Sequence, residues 1–187
     1  MPKRNLDKRK VYNILLLGET GVGKSTWING FVNYLTYKTM KDAKHNQVVY
    51  LVPMSFHLTD SNYQPIKVTV GADKNEQHCE VGQSVTQSPQ SYLIPYGDFS
   101  IRLIDNPGIC DTRGIKQDNF QLILNNLAQY EDVHCICILV KPNCARFTAS
   151  FSYCIKELLI HLHKEACKNI IFCFTHCRGA RMDREIL

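Results

Sequence analysis

The chain has 187 residues, 44% of them hydrophobic and 21% charged, with a formal net charge of +5. That length suits a single domain burying its own core, and the composition is that of a globular protein rather than a disordered or fibrous one. No apolar run approaches a membrane span, the longest being Cys135 to Val140, and the N-terminus lacks the apolar stretch of a secretory signal. Nine cysteines is an odd number in a fold that needs no bridges. Cys135, Cys137 and Cys173 fall in segments that read as buried strands, where free cysteine acts as a small hydrophobe, so a reducing, cytoplasmic setting is expected.

Residues 1–10 read as a basic tail, carrying Lys3, Arg4, Lys8, Arg9 and Lys10. Such a tail could touch an acidic membrane, but a solvated, frayed terminus is the favoured reading, and no nucleic-acid partner is expected. Residues 11–187 read as one domain. A first strand spans 11–17 and a first helix 25–38, the latter from the helical spacing of Trp27, Ile28, Phe31, Val32 and Leu35.

Between them lies Gly18-Glu19-Thr20-Gly21-Val22-Gly23-Lys24-Ser25, followed by Thr26. This fits G-x-x-x-x-G-K-[ST], the phosphate-binding P-loop, in the strand-to-helix context the motif requires. The glycines let backbone N–H groups close on phosphate oxygens, and the helix points its partly positive N-terminus at the same anion. Lys24 would reach the β- and γ-phosphates, and the Ser25 hydroxyl would ligate Mg²⁺.

After the first helix, Gln47 to Leu58 and Ile66 to Val70 read as an inserted strand pair around the turn-like Asp60-Ser61-Asn62, within an insert of about residues 45–85. The polar stretch Gly71 to Pro89 reads as a long surface loop. Tyr92 to Tyr96 and Phe99 to Ile104 form an expected hairpin, closed by Asp105-Asn106-Pro107-Gly108. A helix carrying Phe120, Ile123, Leu124 and Leu127 follows, then an apolar strand Val133 to Val140. Phe151, Ile155, Leu158, Leu159, Leu162 and Ala166 mark a second amphipathic helix, and Asn169 to Thr175 another buried strand. Strands alternating with helices imply a mostly parallel sheet in a three-layer α/β/α sandwich.

Asp105-x-x-Gly108 stands at a strand end, 80 residues after Ser25. There an aspartate sits near Mg²⁺ and the glycine N–H can meet the γ-phosphate. Zinc-type donors occur at Cys173, His176 and Cys177, with His161 and His163, but no C-x-x-C pair exists, and structural zinc is disfavoured.

The P-loop together with Asp105-Asn106-Pro107-Gly108 resembles the translation-factor-related GTPases, which write Asp-Thr-Pro-Gly at the second site. Lys24-Ser25-Thr26-Trp27-Ile28-Asn29 is similar to the Gly-Lys-Ser-Thr-Leu-Ile-Asn stretch of septins and immunity-associated GTPases. Ser84-Val85-Thr86 resembles the switch I Ser-Val-Thr of the immunity-associated group, and Ala145-Arg146-Phe147-Thr148 its Gly-Arg-Phe-Thr. The resemblance covers about residues 11–178 and implies a septin-like G domain that binds GTP or GDP with Mg²⁺. It implies a magnesium role for Thr86 beside Ser25 and Asp105, and a homodimer or oligomer formed through the nucleotide face.

The sequence departs from that pattern in three places. Where the family writes [Asn/Thr]-Lys-x-Asp for guanine, this chain has Thr175-His176-Cys177-Arg178, similar to the Thr-His of chloroplast import GTPases, and Asp183 is out of register. Guanine preference is therefore implied by resemblance, and an ATPase is an alternative. The water-positioning glutamine of Ras-type enzymes is replaced by Ile109, so hydrolysis is expected to be slow. Arg113 could supply a charge in cis or across a dimer, a plain surface arginine being the favoured alternative. Finally, only twelve residues follow Thr175. The expectation is a C-terminally truncated G domain with five core strands in the order 2-3-1-4-5 and an exposed apolar edge at residues 170–174. Its function is a slow GTPase switch or assembly module, or a nucleotide-binding module that does not turn over.

Overall fold

The structure, a computed structural model, describes residues 9–71, 88–108, 116–142, 149–162 and 164–177. In chain order the elements are β1 (Lys10–Gly18), α1 (Lys24–Thr36), α2 (Met40–His45), β2 (Met54–Thr59), β3 (Pro65–Val70), β4 (Gln90–Tyr96), β5 (Phe99–Asp105), α3 (Lys116–Leu127), β6 (Cys135–Val140), α4 (Ala149–His161), a 3-10 turn (Lys164–Asn169) and β7 (Ile170–Phe174).

The main sheet runs β4-β5-β1-β6-β7, the order expected from the sequence. β5 and β6 flank β1 in parallel and β7 lies parallel to β6, while β4 pairs antiparallel with β5 as an edge hairpin. Because side chains alternate across a strand, neighbouring residues feed opposite layers. Leu15 and Leu17 join Ile104, Ile136 and Ile138 under α3 and α4, where Ile123, Phe151 and Leu158 close the core. Leu16 faces the other way, with Leu103, Cys137 and Leu139 under Ile28 and Val32 of α1. The result is the three-layer α/β/α sandwich, with the carboxyl ends of β1, β5, β6 and β7 on one rim.

The insert differs from the expected strand pair at its start. Only Met54–Thr59 pairs with Pro65–Val70, as a separate two-stranded sheet. Asp60 organises its turn, its Oδ1 accepting from Asn62 N at 2.8 Å and Gln64 N at 2.7 Å. The preceding residues are held by side chains instead of a strand partner. Asn29 Oδ1 accepts from Leu51 N and Val52 N at 2.9 and 3.0 Å, and its Nδ2 donates to Val52 O at 2.8 Å. Asn33 treats Val49 in the same way, accepting from its N–H at 3.0 Å and donating to its carbonyl at 2.7 Å. With these backbone groups of Val49, Leu51 and Val52 bonded to two asparagines of α1, they need no ladder partner.

One further difference concerns the last helix. The helix expected to reach Ala166 ends at His161, and the 3-10 turn carries the chain into β7. The last strand shows the exposed apolar edge expected at residues 170–174: Ile171, Phe172 and Phe174 are 48%, 58% and 63% exposed. Ile170 packs under α4 and Cys173 under α1, but no other described strand lies beyond β7. Residues 178–187 lie outside the described residues. A short helix that the sequence reading missed, α2, is closed by a capping box between Thr39 and Asp42.

Candidate functional site

The site is built where β1 ends and α1 begins. Gly21 and Gly23 both have positive φ, +73° and +97°, which glycine adopts without steric penalty. Gly23 is the N-cap of α1, and the loop is tightened by Val22 N donating to Glu19 O at 3.1 Å and Trp27 N to Gly23 O at 2.9 Å. A chain turning through left-handed glycines presents successive N–H groups to one side, the concave arrangement that binds anions. Val22 anchors the loop from below, its side chain buried in the α1 core. Glu19 and Thr20 are half-buried, Ser25 likewise, and Thr26 is exposed on the first turn of α1.

Lys24 is buried, and its Nζ lies 3.4 Å from Gly18 O, back across the loop. Burial lowers its pKa below the ordinary lysine value of 10.5, and the nearby Asp105 charge partly opposes that shift. Asp105 is itself fully buried at the end of β5, opposite Leu16 of β1. A buried lysine facing a buried aspartate beside a glycine loop is a site with strong local fields.

The turn after β5 packs directly on the loop. A Cβ placed on Gly108 would stand 2.3 Å from Thr20 Oγ1 and 2.8 Å from Thr20 N, so only glycine fits there. Asn126 of α3, which sequence reading did not single out, donates to Asn106 Oδ1 at 3.2 Å and holds this turn against the helix layer.

The end of β7 reaches the loop from the other side. Thr175 Oγ1 donates to Val22 O at 2.6 Å, and Thr175 N donates to Val140 O at 2.9 Å. His176 has φ +55°, and its Nε2 lies 3.6 Å from the Cβ position of Gly23. Lys141, just past β6, brings its Nζ to 4.0 Å from the Cβ position of Gly21. Thus Gly18 to Thr26, Asp105, Gly108, Thr175 and His176 come together at one rim of the sheet. Thr86, Ile109, Arg113, Arg146, Arg178 and Asp183 lie outside the described residues.

Two buried polar atoms at this rim, Thr20 Oγ1 and Asn106 Nδ2, make no hydrogen bond among the described residues. Such atoms cost free energy when left unpaired. Together with the glycine cradle and the buried ammonium they fit a polyanion carrying a metal ion. Among the described residues no three His, Cys, Asp or Glu side chains are grouped to hold a metal by themselves. No described helix is long and apolar enough to cross a membrane.

Fold and loop geometry therefore define a P-loop α/β protein. No protein-family model matches the chain. Septin-8 of Rattus norvegicus is 42% identical over 59 residues, covering 32% of this chain and 13% of that protein. GTP-binding protein A of Dictyostelium discoideum is 22% identical over 172 residues, covering 91% of this chain and 29% of that protein. The chain thus spans less than a third of the length of either relative. In fold it is similar to a structure of the chloroplast translocon components atToc33 and psToc159, with a TM-score of 0.57 at 17% identity, covering 95% of this chain and 55% of that one. These partial similarities support a septin-like P-loop G domain.

Proposed function

We infer that this domain binds guanine nucleotide with Mg²⁺ and acts as a slow GTPase whose nucleotide state governs association with partners. The observation that carries the reading is the convergence of Lys24, Asp105, Gly108 and Thr175 on one anion-binding loop. The names of its relatives support guanine as the base, since one is a GTP-binding protein and another a translocon component whose GTPase activity is linked to dimerization.

In this reading the loop N–H groups and Lys24 hold the phosphates, while Ser25 and Asp105 hold Mg²⁺, with Thr86 joining them. When bound, the ion neutralises charge on the β- and γ-phosphates. Thr20 supplies a buried hydroxyl, and Gly108 allows the turn after β5 to lie against the loop. His176 and backbone groups take the base side in place of the absent aspartate, with lower discrimination. Ile109 cannot orient water, so turnover depends on what a second copy or Arg113 brings to the nucleotide face. The five free thiols of the described residues support a cytoplasmic location.

A nucleotide-binding module without turnover is the second reading, favoured by Ile109. Displacement of a fluorescent GDP analogue in the presence of Mg²⁺ tests the base. GTP and GDP are expected to compete at about tenfold lower concentration than ATP. ATP competing as well as GTP would reject the guanine assignment and favour an ATPase.

A further inference from the structure

We propose that Lys141 is a second phosphate-binding cation, reaching the P-loop from the end of β6 as Lys24 reaches it from α1. This deepens the nucleotide-binding reading and rests on it.

The placement follows from strand register. β6 runs parallel to β1, and its Leu139 stands opposite Gly18, the first residue of the loop. Two residues further on, the chain leaves the sheet level with the loop itself. Lys141 is the first residue past β6, and its Nζ comes to 4.0 Å from where a Cβ on Gly21 would be. Gly21 is exposed and has no side chain, so nothing of its own stands between that ammonium and the loop backbone.

Charge makes the arrangement specific. Lys141 is half-buried beside the loop. Lys24 already places a buried ammonium under the same loop, 3.4 Å from Gly18 O. Two ammonium groups brought to one short loop favour an anion placed between them. A polyphosphate lying in the cradle supplies the compensating charge. Lysine suits such a position because its ammonium is a compact point charge with three donors that needs no fixed planar geometry. Its ligand is therefore the phosphate chain, and it contributes equally whichever base is attached.

Fluorescent (N-methylanthraniloyl) GTP and ATP, titrated with Mg²⁺ against wild type, Lys141→Met, Lys141→Arg and Lys24→Ala, test the proposal. Methionine keeps the length of the stem and removes the charge. Lys141→Met is expected to weaken both nucleotides about tenfold, in line with loss of one charge-assisted contact, while Lys141→Arg stays within about threefold of wild type. The gap between wild type and Lys141→Met should narrow in high salt, since the contact is partly exposed. Lys141→Gln serves as a second neutral variant, and circular dichroism of each checks the fold. Unchanged affinity in both neutral variants, with Lys24→Ala still losing binding, would overturn the role of Lys141 and leave the P-loop reading intact. Equal losses in Lys141→Arg and Lys141→Met would assign the residue to packing instead of charge. Unchanged affinity in Lys24→Ala would overturn the P-loop reading itself.

Discussion

Gly108 rests on Thr20 so closely that a Cβ on it would fall 2.3 Å from the threonine hydroxyl and 2.7 Å from its Cα. The Asp105-x-x-Gly108 turn and the P-loop are therefore one packed unit. Backbone lies on the far side of that contact, so a methyl group cannot be absorbed by a rotamer change. Gly108→Ala should destabilise the domain by about 1–3 kcal/mol, the usual cost of overpacking. Chemical denaturation measures it, and a variant as stable as wild type would show that the two segments separate easily.

Asn29 tests how α1 holds the insert. It supplies one carbonyl to two backbone N–H groups and one amide to Val52 O. Asn29→Ala leaves buried donors unpaired and should cost about 2–3 kcal/mol, whereas exposed Thr26→Ala should stay within about 0.5 kcal/mol. Thermal melts of the two variants make the comparison. The same asparagine belongs to the Lys24 to Asn29 stretch that resembles septins, which gives that motif position a structural role.

The pH behaviour of Lys24 has a definite sign. Its native pKa lies below the ordinary 10.5, mainly through burial. The penalty for burying the ammonium is therefore fully present below the lowered native value and is relieved as pH rises from there towards 10.5. Ligand-free wild type should gain stability relative to Lys24→Met between neutral pH and about pH 10, where nucleotide affinity, which needs the charge, should fall. Urea titrations of both proteins at the two pH values decide this. A constant difference would mean that Lys24 titrates normally.

The thiols should separate by environment. Cys137 is fully buried, and its Sγ lies 3.4 Å from that of Cys173. Burial first, then the Cys173 contact and the neighbouring Cys135, push its pKa well above the ordinary range. Cys167 and Cys177 are exposed. Because the thiolate is the reactive form, alkylation of the native protein should mark Cys167 and Cys177 well before Cys137. Mass spectrometry of the labelled peptides reads the order, and early labelling of Cys137 would contradict the core described for β6.

Much of the fold was legible because it is written in local signals. The apolar run of β1, the glycines of the loop and the helical spacing of Trp27, Ile28 and Phe31 agree with one another. The alternation of strands with helices then leaves few ways to order the sheet. What was not legible depends on contacts distant in sequence. Gln47 to Pro53 has strand-like residues, yet within it the backbone of Val49, Leu51 and Val52 bonds to Asn33 and Asn29 of α1. Periodicity in the segment itself carries no trace of that. At the site, Lys24 and Asp105 stand in motifs. Asn126 and Lys141 stand in none, and they reach the loop turn and the P-loop only through sheet register and helix packing.

Isothermal titration of the domain with a non-hydrolysable GTP analogue and Mg²⁺, alongside Lys24→Ala, tests the central claim most directly. The account predicts one-to-one binding to wild type and a loss of affinity of about a hundredfold or more in the variant, because a buried cation matched to phosphate is removed. Equal binding by the two proteins, or no binding to wild type, would contradict it.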